Sequence, residues 1–189
     1  MIDILIISGK SASGKDLVVK KLVEKGYSRI VRYTTRPKRK GEKQDVTYYF
    51  ITIEEFKQKI DEGFFAEYQS YNTEFGVWYY GTSFEDLKNA NNKSVIILEP
   101  QSYRDIKDES PNKDITCIYL YANNSTIKKR LEKRGDNPNE VIRRMESDNE
   151  DFKGFENEVD RIVYNNDGDK IDDVVSKILK YVGETNENN

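Results

Sequence analysis

Ile4-Leu5-Ile6-Ile7-Ser8-Gly9-Lys10-Ser11-Ala12-Ser13-Gly14-Lys15-Asp16-Leu17-Val18 runs from an apolar stretch of strand length, through a loop with a glycine at each end, into the start of an amphipathic helix. Gly-x4-Gly-Lys in that setting is a phosphate loop: the glycines let the backbone wrap an anion and aim its N–H groups at the oxygens, and Lys15 reaches the terminal phosphates. The helix that begins near Lys15 adds its positive end. Gly9, Lys10, Ser11, Ala12, Ser13, Gly14 and Lys15 are therefore the candidate nucleotide-phosphate residues. Asp16 stands where Ser or Thr usually gives a hydroxyl to Mg²⁺. Its carboxylate can take the metal directly or through water, and otherwise it opposes the phosphates beside it; the plainer reading is a helix-start acid facing the dipole.

Outward from this loop, strand-length apolar runs alternate with segments of helical spacing, the mark of a parallel sheet covered by helices. Strands are expected near Asp3–Ser8, Ile30–Thr34, Ser94–Glu99, Ile115–Tyr121 and Arg161–Tyr164. Helices are expected from Lys15 to Lys25 with Gly26 as the stop, after Asn124, and over Ile171–Tyr181. The fold class is α/β: a five-stranded parallel P-loop core with an inserted mixed α/β sub-domain and a helical lid. The insertion, 36–82, holds a basic loop, a strand-like Tyr48–Ile51, a helix opened by the capping box Thr52-Ile53-Glu54-Glu55, and aromatic strands at Phe64–Tyr71 and Phe75–Tyr80. A charged segment, 134–148, interrupted by Gly135 and Pro138, reads as a lid. One domain over 1–183 is expected, with its core in 1–35, 83–133 and 149–182 and a disordered tail at 184–189.

Composition removes other chemistries. The 189 residues include no histidine, so imidazole catalysis and histidine metal sites are excluded. The single Cys117 lies in an apolar run and reads as a buried strand residue. A charged fraction of 34% nets only −3, which gives no global field for nucleic acid or a membrane surface. No apolar run approaches the roughly 20 residues of a membrane span, and Met1-Ile2-Asp3 does not open a secretory leader. The expected setting is reducing and cytoplasmic.

With Thr34-Thr35-Arg36-Pro37-Lys38-Arg39-Lys40-Gly41-Glu42 following the second strand, the chain resembles guanylate kinases. The resemblance continues through Tyr48-Tyr49-Phe50, Glu67, Tyr79-Tyr80-Gly81-Thr82, Arg130-Leu131-Glu132-Lys133-Arg134-Gly135, Arg143-Arg144 and Asn165-Asn166-Asp167, in order over nearly the whole chain. It implies ATP- and Mg²⁺-dependent phosphorylation of GMP or dGMP by a monomer or homodimer. Arg36, Arg39, Tyr48 and Tyr80 would grip the acceptor phosphate, as forked guanidiniums and phenols suit. Glu67 would accept from guanine N1–H and the exocyclic amine, Thr82 would donate to O6, and Glu99 would reach the base or the metal. Lys15, Arg134 and Arg144 would act on the group in flight, with Asp16 toward the metal; the segment before Arg144 is one residue short, so Arg143 is the fallback. Arg130 would support the donor nucleotide, and Asn165 would contact adenine chiefly through its backbone.

Three positions depart from that pattern. Arg32 replaces a serine usual at the acceptor phosphate, Asp16 replaces the hydroxyl residue, and Glu99-Pro100-Gln101 replaces Asp-x-Asp. Ribose 1,5-bisphosphate phosphokinases resemble the chain in Gly14-Lys15-Asp16, Arg32-Tyr33-Thr34-Thr35-Arg36 and Asn165-Asn166-Asp167-Gly168, so a sugar-phosphate kinase is the second reading. A non-catalytic guanylate-kinase-like interaction module is the third, although its phosphate loop would be expected to have decayed.

Overall fold

The computed structural model of the chain describes residues 3–183; the expected tail at 184–189 lies outside them. In chain order the elements are β1 (Ile4–Ser8), α1 (Lys15–Glu24), β2 (Ser28–Arg29), β3 (Tyr33–Thr34), β4 (Tyr49–Phe50), α2 (Ile53–Asp61), β5 (Phe65–Thr73), β6 (Gly76–Ser83), α3 (Phe84–Asn89), β7 (Ser94–Ile97), α4 (Pro100–Glu109), β8 (Ile115–Tyr121), α5 (Asn124–Arg134), α6 (Pro138–Asp151), a 3₁₀ turn (Phe155–Asn157), β9 (Arg161–Tyr164) and α7 (Ile171–Tyr181). They form two compact units, one of Met1–Arg29, Asn92–Pro100 and Lys113–Asn189, the other of Ile30–Asn91 and Gln101–Asn112.

The first unit is a five-stranded parallel sheet in the order β2-β7-β1-β8-β9. Parallel strands covered on both faces need continuous apolar runs, and every residue of β1 is buried. Leu5, Ile7, Ile118 and Leu120 meet Val18 and Leu22 of α1 and Val175 and Ile178 of α7 in one core. Cys117 is buried in β8, as its apolar neighbours imply. Asn123 caps α5 by accepting from the Thr126 amide, and Gly135 ends that helix at φ 81°, a left-handed conformation that glycine takes without Cβ strain. Asn137 then caps α6, with Pro138 in its first turn.

The second unit is a four-stranded sheet in the order β4-β3-β6-β5. Phe56, fully buried on α2, stacks on Phe65 at 4.4 Å and lies 5.3 Å from the Tyr79 ring. A Cβ at Gly81 would come within 2.9 Å of the Phe65 ring, so a glycine lets β6 lie against this aromatic cluster. The capping box at Thr52 and Glu55 forms with both bonds present.

Two expectations change. The second core strand is Ser28–Arg29, not Ile30–Thr34: Ser28 and Arg29 pair with Ser94 and Val95, while Tyr33–Thr34 belongs to the other sheet, between β4 and β6. The apolar pair Ile30-Val31 suggests one continuous strand, but the chain leaves the core sheet after Arg29. The strands expected at Phe64–Tyr71 and Phe75–Tyr80 also shift, to β5 (Phe65–Thr73) and β6 (Gly76–Ser83), in a sheet where β3 and β4 run parallel. The helices α3 and α4, short and carrying few apolar residues, went unanticipated.

Candidate active site

The phosphate loop is shaped by close backbone approach. A Cβ at Gly9 would stand 2.6 Å from the Leu120 carbonyl and 2.6 Å from Ser13 Oγ, and Gly14 opens α1 at φ 103°, where a Cβ would meet Asn165 Nδ2 at 2.4 Å. Two side chains brace the loop from behind. Asn165, buried, donates Nδ2–H to the Ser13 carbonyl at 2.7 Å, and Arg130 Nη1 donates to the carbonyls of Ala12 and Ser13 at 3.2 Å each. Beside the adenine contact expected of its backbone, the Asn165 side-chain amide thus holds the loop. Lys15 Nζ donates to the carbonyls of Gly9 (2.5 Å) and Lys10 (3.0 Å), folded over the loop it serves. The buried Ser13 hydroxyl has no hydrogen-bond partner among the described residues.

Asp16 is largely exposed on the first turn of α1, 3.4 Å from Arg29. No group of three or more acidic or cysteine side chains that could hold a metal occurs among the described residues. One carboxylate beside a phosphate loop fits Mg²⁺, which keeps most of its waters and relies on substrate phosphates for the rest.

α6 brings a residue that sequence reasoning missed. Ser11 N–H donates to Asp148 Oδ2 at 2.6 Å, and Lys10 Nζ donates to Asn149 Oδ1 at 2.6 Å. Burial raises the Asp148 carboxyl above its ordinary range, against the pull of the Ser11 amide and Lys15. No sequence signal marks it; only the docking of α6 on the loop does.

The arginines of 134–148 converge on two acids. Arg134 and Arg144 both bond Asp136, the latter through Nη1 at 3.0 Å, while Arg144 Nε (2.6 Å) and Arg143 Nη2 (2.9 Å) share Glu140 Oε1. Arg143 holds Glu140 first and Arg144 second, and together they pull its carboxyl down to about 2 despite the desolvation that opposes them. The three- and four-residue spacing of Glu140 to Arg143 and Arg144 was a readable signal. Arg144 joins Arg134 on Asp136.

The acceptor residues fall mostly in the second unit. Arg36 makes a two-pronged pair with Glu42, Nη2 to Oε1 at 2.7 Å and Nη1 to Oε2 at 3.0 Å, and Glu42 also accepts from the Arg39 amide at 2.7 Å. The Arg36 guanidinium lies 5.5 Å from the Tyr48 ring, whose centroid is 6.0 Å from that of Tyr80. The β5–β6 hairpin, with a bulge between Phe65 and Glu67, sets Glu67 directly opposite Thr82. There the Thr82 hydroxyl donates to Glu67 Oε1 at 2.6 Å. Arg32 Nη2 donates to Glu67 Oε1 at 2.8 Å, Glu67 Oε2 at 3.1 Å and Ser102 Oγ at 3.2 Å. The position expected at the acceptor phosphate is therefore turned toward the acid expected to read the base. Glu99 follows β7 in the first unit, where its charge raises Asp151, itself raised mainly by burial.

A family model described as "Guanylate kinase" matches residues 1–182 of this chain. A guanylate kinase of Prochlorococcus marinus is 31% identical over 185 residues, spanning 95% of this chain and 96% of the relative, and one of Hydrogenovibrio crunogenus is 37% identical over 168 residues, spanning 85% and 78%. A solved guanylate kinase structure from Anaplasma phagocytophilum superposes with a TM-score of 0.70 at 22% identity, over 95% of this chain and 84% of the other.

Proposed function

Because the chain belongs to the guanylate kinase family, we propose that it transfers the terminal phosphoryl group of ATP to GMP or dGMP, giving ADP and the guanosine diphosphate. The observation that carries this reading is the pairing of an intact, braced phosphate loop with a buried carboxylate, Glu67, held opposite Thr82 on the acceptor hairpin. Neither the family match nor the relatives favour the sugar-phosphate kinase or the interaction module.

Phosphoryl transfer asks little covalent chemistry of a protein; alignment, water exclusion and charge neutralisation supply the rate. On the donor side, the amides of Gly9–Gly14 and the Lys15 ammonium hold the β- and γ-phosphates. Lys15 exchanges its bonds to its own loop carbonyls for phosphate oxygens. Arg130 and Asn165 keep the loop carbonyls turned away from the anion. Asp16, with the donor phosphates, would hold Mg²⁺, which would supply further charge neutralisation. Arg134 and Arg144, pre-grouped by Asp136, serve the charge that spreads over the transferred group, within a lid of residues 134–148.

On the acceptor side, residues 36–82 form the binding insertion. Arg36, Arg39, Tyr48 and Tyr80 receive the GMP phosphate, which leaves one of its oxygens as the nucleophile. Glu67 accepts from guanine N1–H and the 2-amino group; adenine offers an acceptor at N1 and no 2-amino donor, which is the discrimination. Glu99 is the remaining acid for the base or the metal. The chain acts as a monomer or homodimer in the cytoplasm, without a nucleic-acid partner; no helix among the described residues is long and apolar enough to cross a membrane.

The test is ADP production from ATP and Mg²⁺ with GMP, dGMP, AMP, dTMP and ribose 1,5-bisphosphate in parallel. Selective turnover of GMP or dGMP is expected. Turnover of the sugar phosphate alone would reassign the acceptor, and no turnover with any acceptor would remove the kinase.

A further inference from the structure

Arg32 and Glu67 are 2% and 3% exposed, and none of the Glu67 side chain reaches solvent. Burying a guanidinium and a carboxylate is repaid only when each finds hydrogen-bond partners, and here one nitrogen of Arg32 spans both carboxylate oxygens while Thr82 takes a second place on Oε1. Guanine presents the same kind of edge: N1–H and the 2-amino N–H are parallel donors on a planar C–N framework, as in a guanidinium. The acid proposed to read the base is thus already occupied by a side chain that resembles the base's edge.

On its other flank Arg32 stands next to the phosphate-binding wall. Its guanidinium lies 5.9 Å from the Tyr80 ring, the Tyr80 and Tyr48 centroids are 6.0 Å apart, and Tyr48 lies under Arg36. The Arg32 guanidinium thus stands between Glu67 and the Tyr80 ring.

We propose that Arg32 is a specificity-determining residue that holds the guanine edge's seat on Glu67 until the acceptor's phosphate draws it away. The proposal rests on the acceptor reading above and deepens it. A base without a phosphate must compete with Arg32 for Glu67, whereas GMP supplies the dianion that gives the displaced guanidinium a new partner. Base reading and phosphate binding are thereby coupled through one side chain, and the binding-competent state of Glu67 is a minor one before the phosphate arrives.

The test compares guanosine with GMP by calorimetric titration of the full chain, with ATP binding as the control for folding. In Arg32→Ala, guanosine should bind at least ~10-fold tighter than in the wild type, because the competitor is gone. GMP should bind no tighter, so the ratio of the guanosine to the GMP dissociation constant falls by at least that factor. Arg32→Lys, which retains a cation, should restore most of the ratio. Because Arg32→Ala leaves the buried Glu67 without its counter-charge and can fail to fold, a second measurement uses the unaltered protein. Inorganic phosphate should tighten guanosine binding by positive linkage. An unchanged ratio in a variant that still binds ATP, or phosphate that leaves guanosine binding unchanged or weakens it, overturns the proposal. If the wild type binds ATP but neither GMP nor guanosine, the acceptor reading itself fails and takes the proposal with it.

Discussion

The phosphate loop and the β5–β6 hairpin, proposed above as donor and acceptor sites, are built by different means. Around Gly9–Lys15 the proposed binding groups are backbone amides, set in place by two glycines at positions of close approach and braced from behind by Asn165 and Arg130. In the second unit the proposed groups are charged side chains, each held by a partner of opposite sign: Arg36 by Glu42, Glu67 by Arg32. A backbone site is indifferent to which nucleotide carries the phosphate, because every phosphate offers the same oxygens. A site of paired side chains selects, and its choice can be changed by replacing one partner.

The largest expected effect lies on the selective side. Glu67→Ala leaves Arg32 buried without its carboxylate and should cost about 3–5 kcal/mol of stability, read as a lowered urea midpoint, together with lost preference for GMP over AMP. A midpoint within error of the wild type would mean that the pair is not held as described. On the donor side, Lys15→Ala should keep its fold by circular dichroism while kcat falls roughly a hundred- to a thousandfold; near-normal turnover would remove the loop from the chemistry.

A smaller effect concerns the acids that group the lid arginines. The Glu140 carboxyl, held near about 2 when folded, titrates at its ordinary higher value when unfolded. Its contribution is therefore fully present above about pH 4.5 and is lost as the pH falls toward about 2. Stability should drop by on the order of 2 kcal/mol across that window. Glu140→Gln should lack this part of the pH dependence, as urea midpoints measured at several pH values would show.

The smallest effect tests whether the donor loop is as free of side-chain control as the contrast implies. Asp148 places a carboxylate on the Ser11 amide, where it opposes an arriving phosphate. Asp148→Asn keeps an acceptor for Ser11 without the charge, and the dissociation constant for ATP should fall several-fold. In the wild type ATP binding should tighten as the pH falls into the raised titration range of Asp148, and in the variant it should be flatter.

The same contrast explains what could be read from the chain alone. Gly9, Gly14 and Lys15 announce the donor loop because spacing and flanking periodicity fix a backbone shape, and the apolar stripe of α7 fixes that helix over Ile171–Tyr181. The strand at Ser28–Arg29 was displaced in that reading by the more apolar Ile30-Val31, because two residues carry too little periodicity to place a short edge strand. Arg32, Thr82 and Asp148 were legible as residue types but not as partners. Which acid a buried arginine meets depends on hairpin register and helix docking, and no local pattern encodes either.

Trp78, the chain's only tryptophan, lies on β6 with its ring 6.2 Å from that of Phe75 and nearly parallel to it. Its emission therefore belongs to the acceptor unit alone, while tyrosines occur in both units. Unfolding followed by tryptophan fluorescence and by far-ultraviolet dichroism thus reports on one unit and on the whole chain respectively. Coincidence of the two curves, or their separation, tells whether the units melt as one cooperative body without any label being introduced.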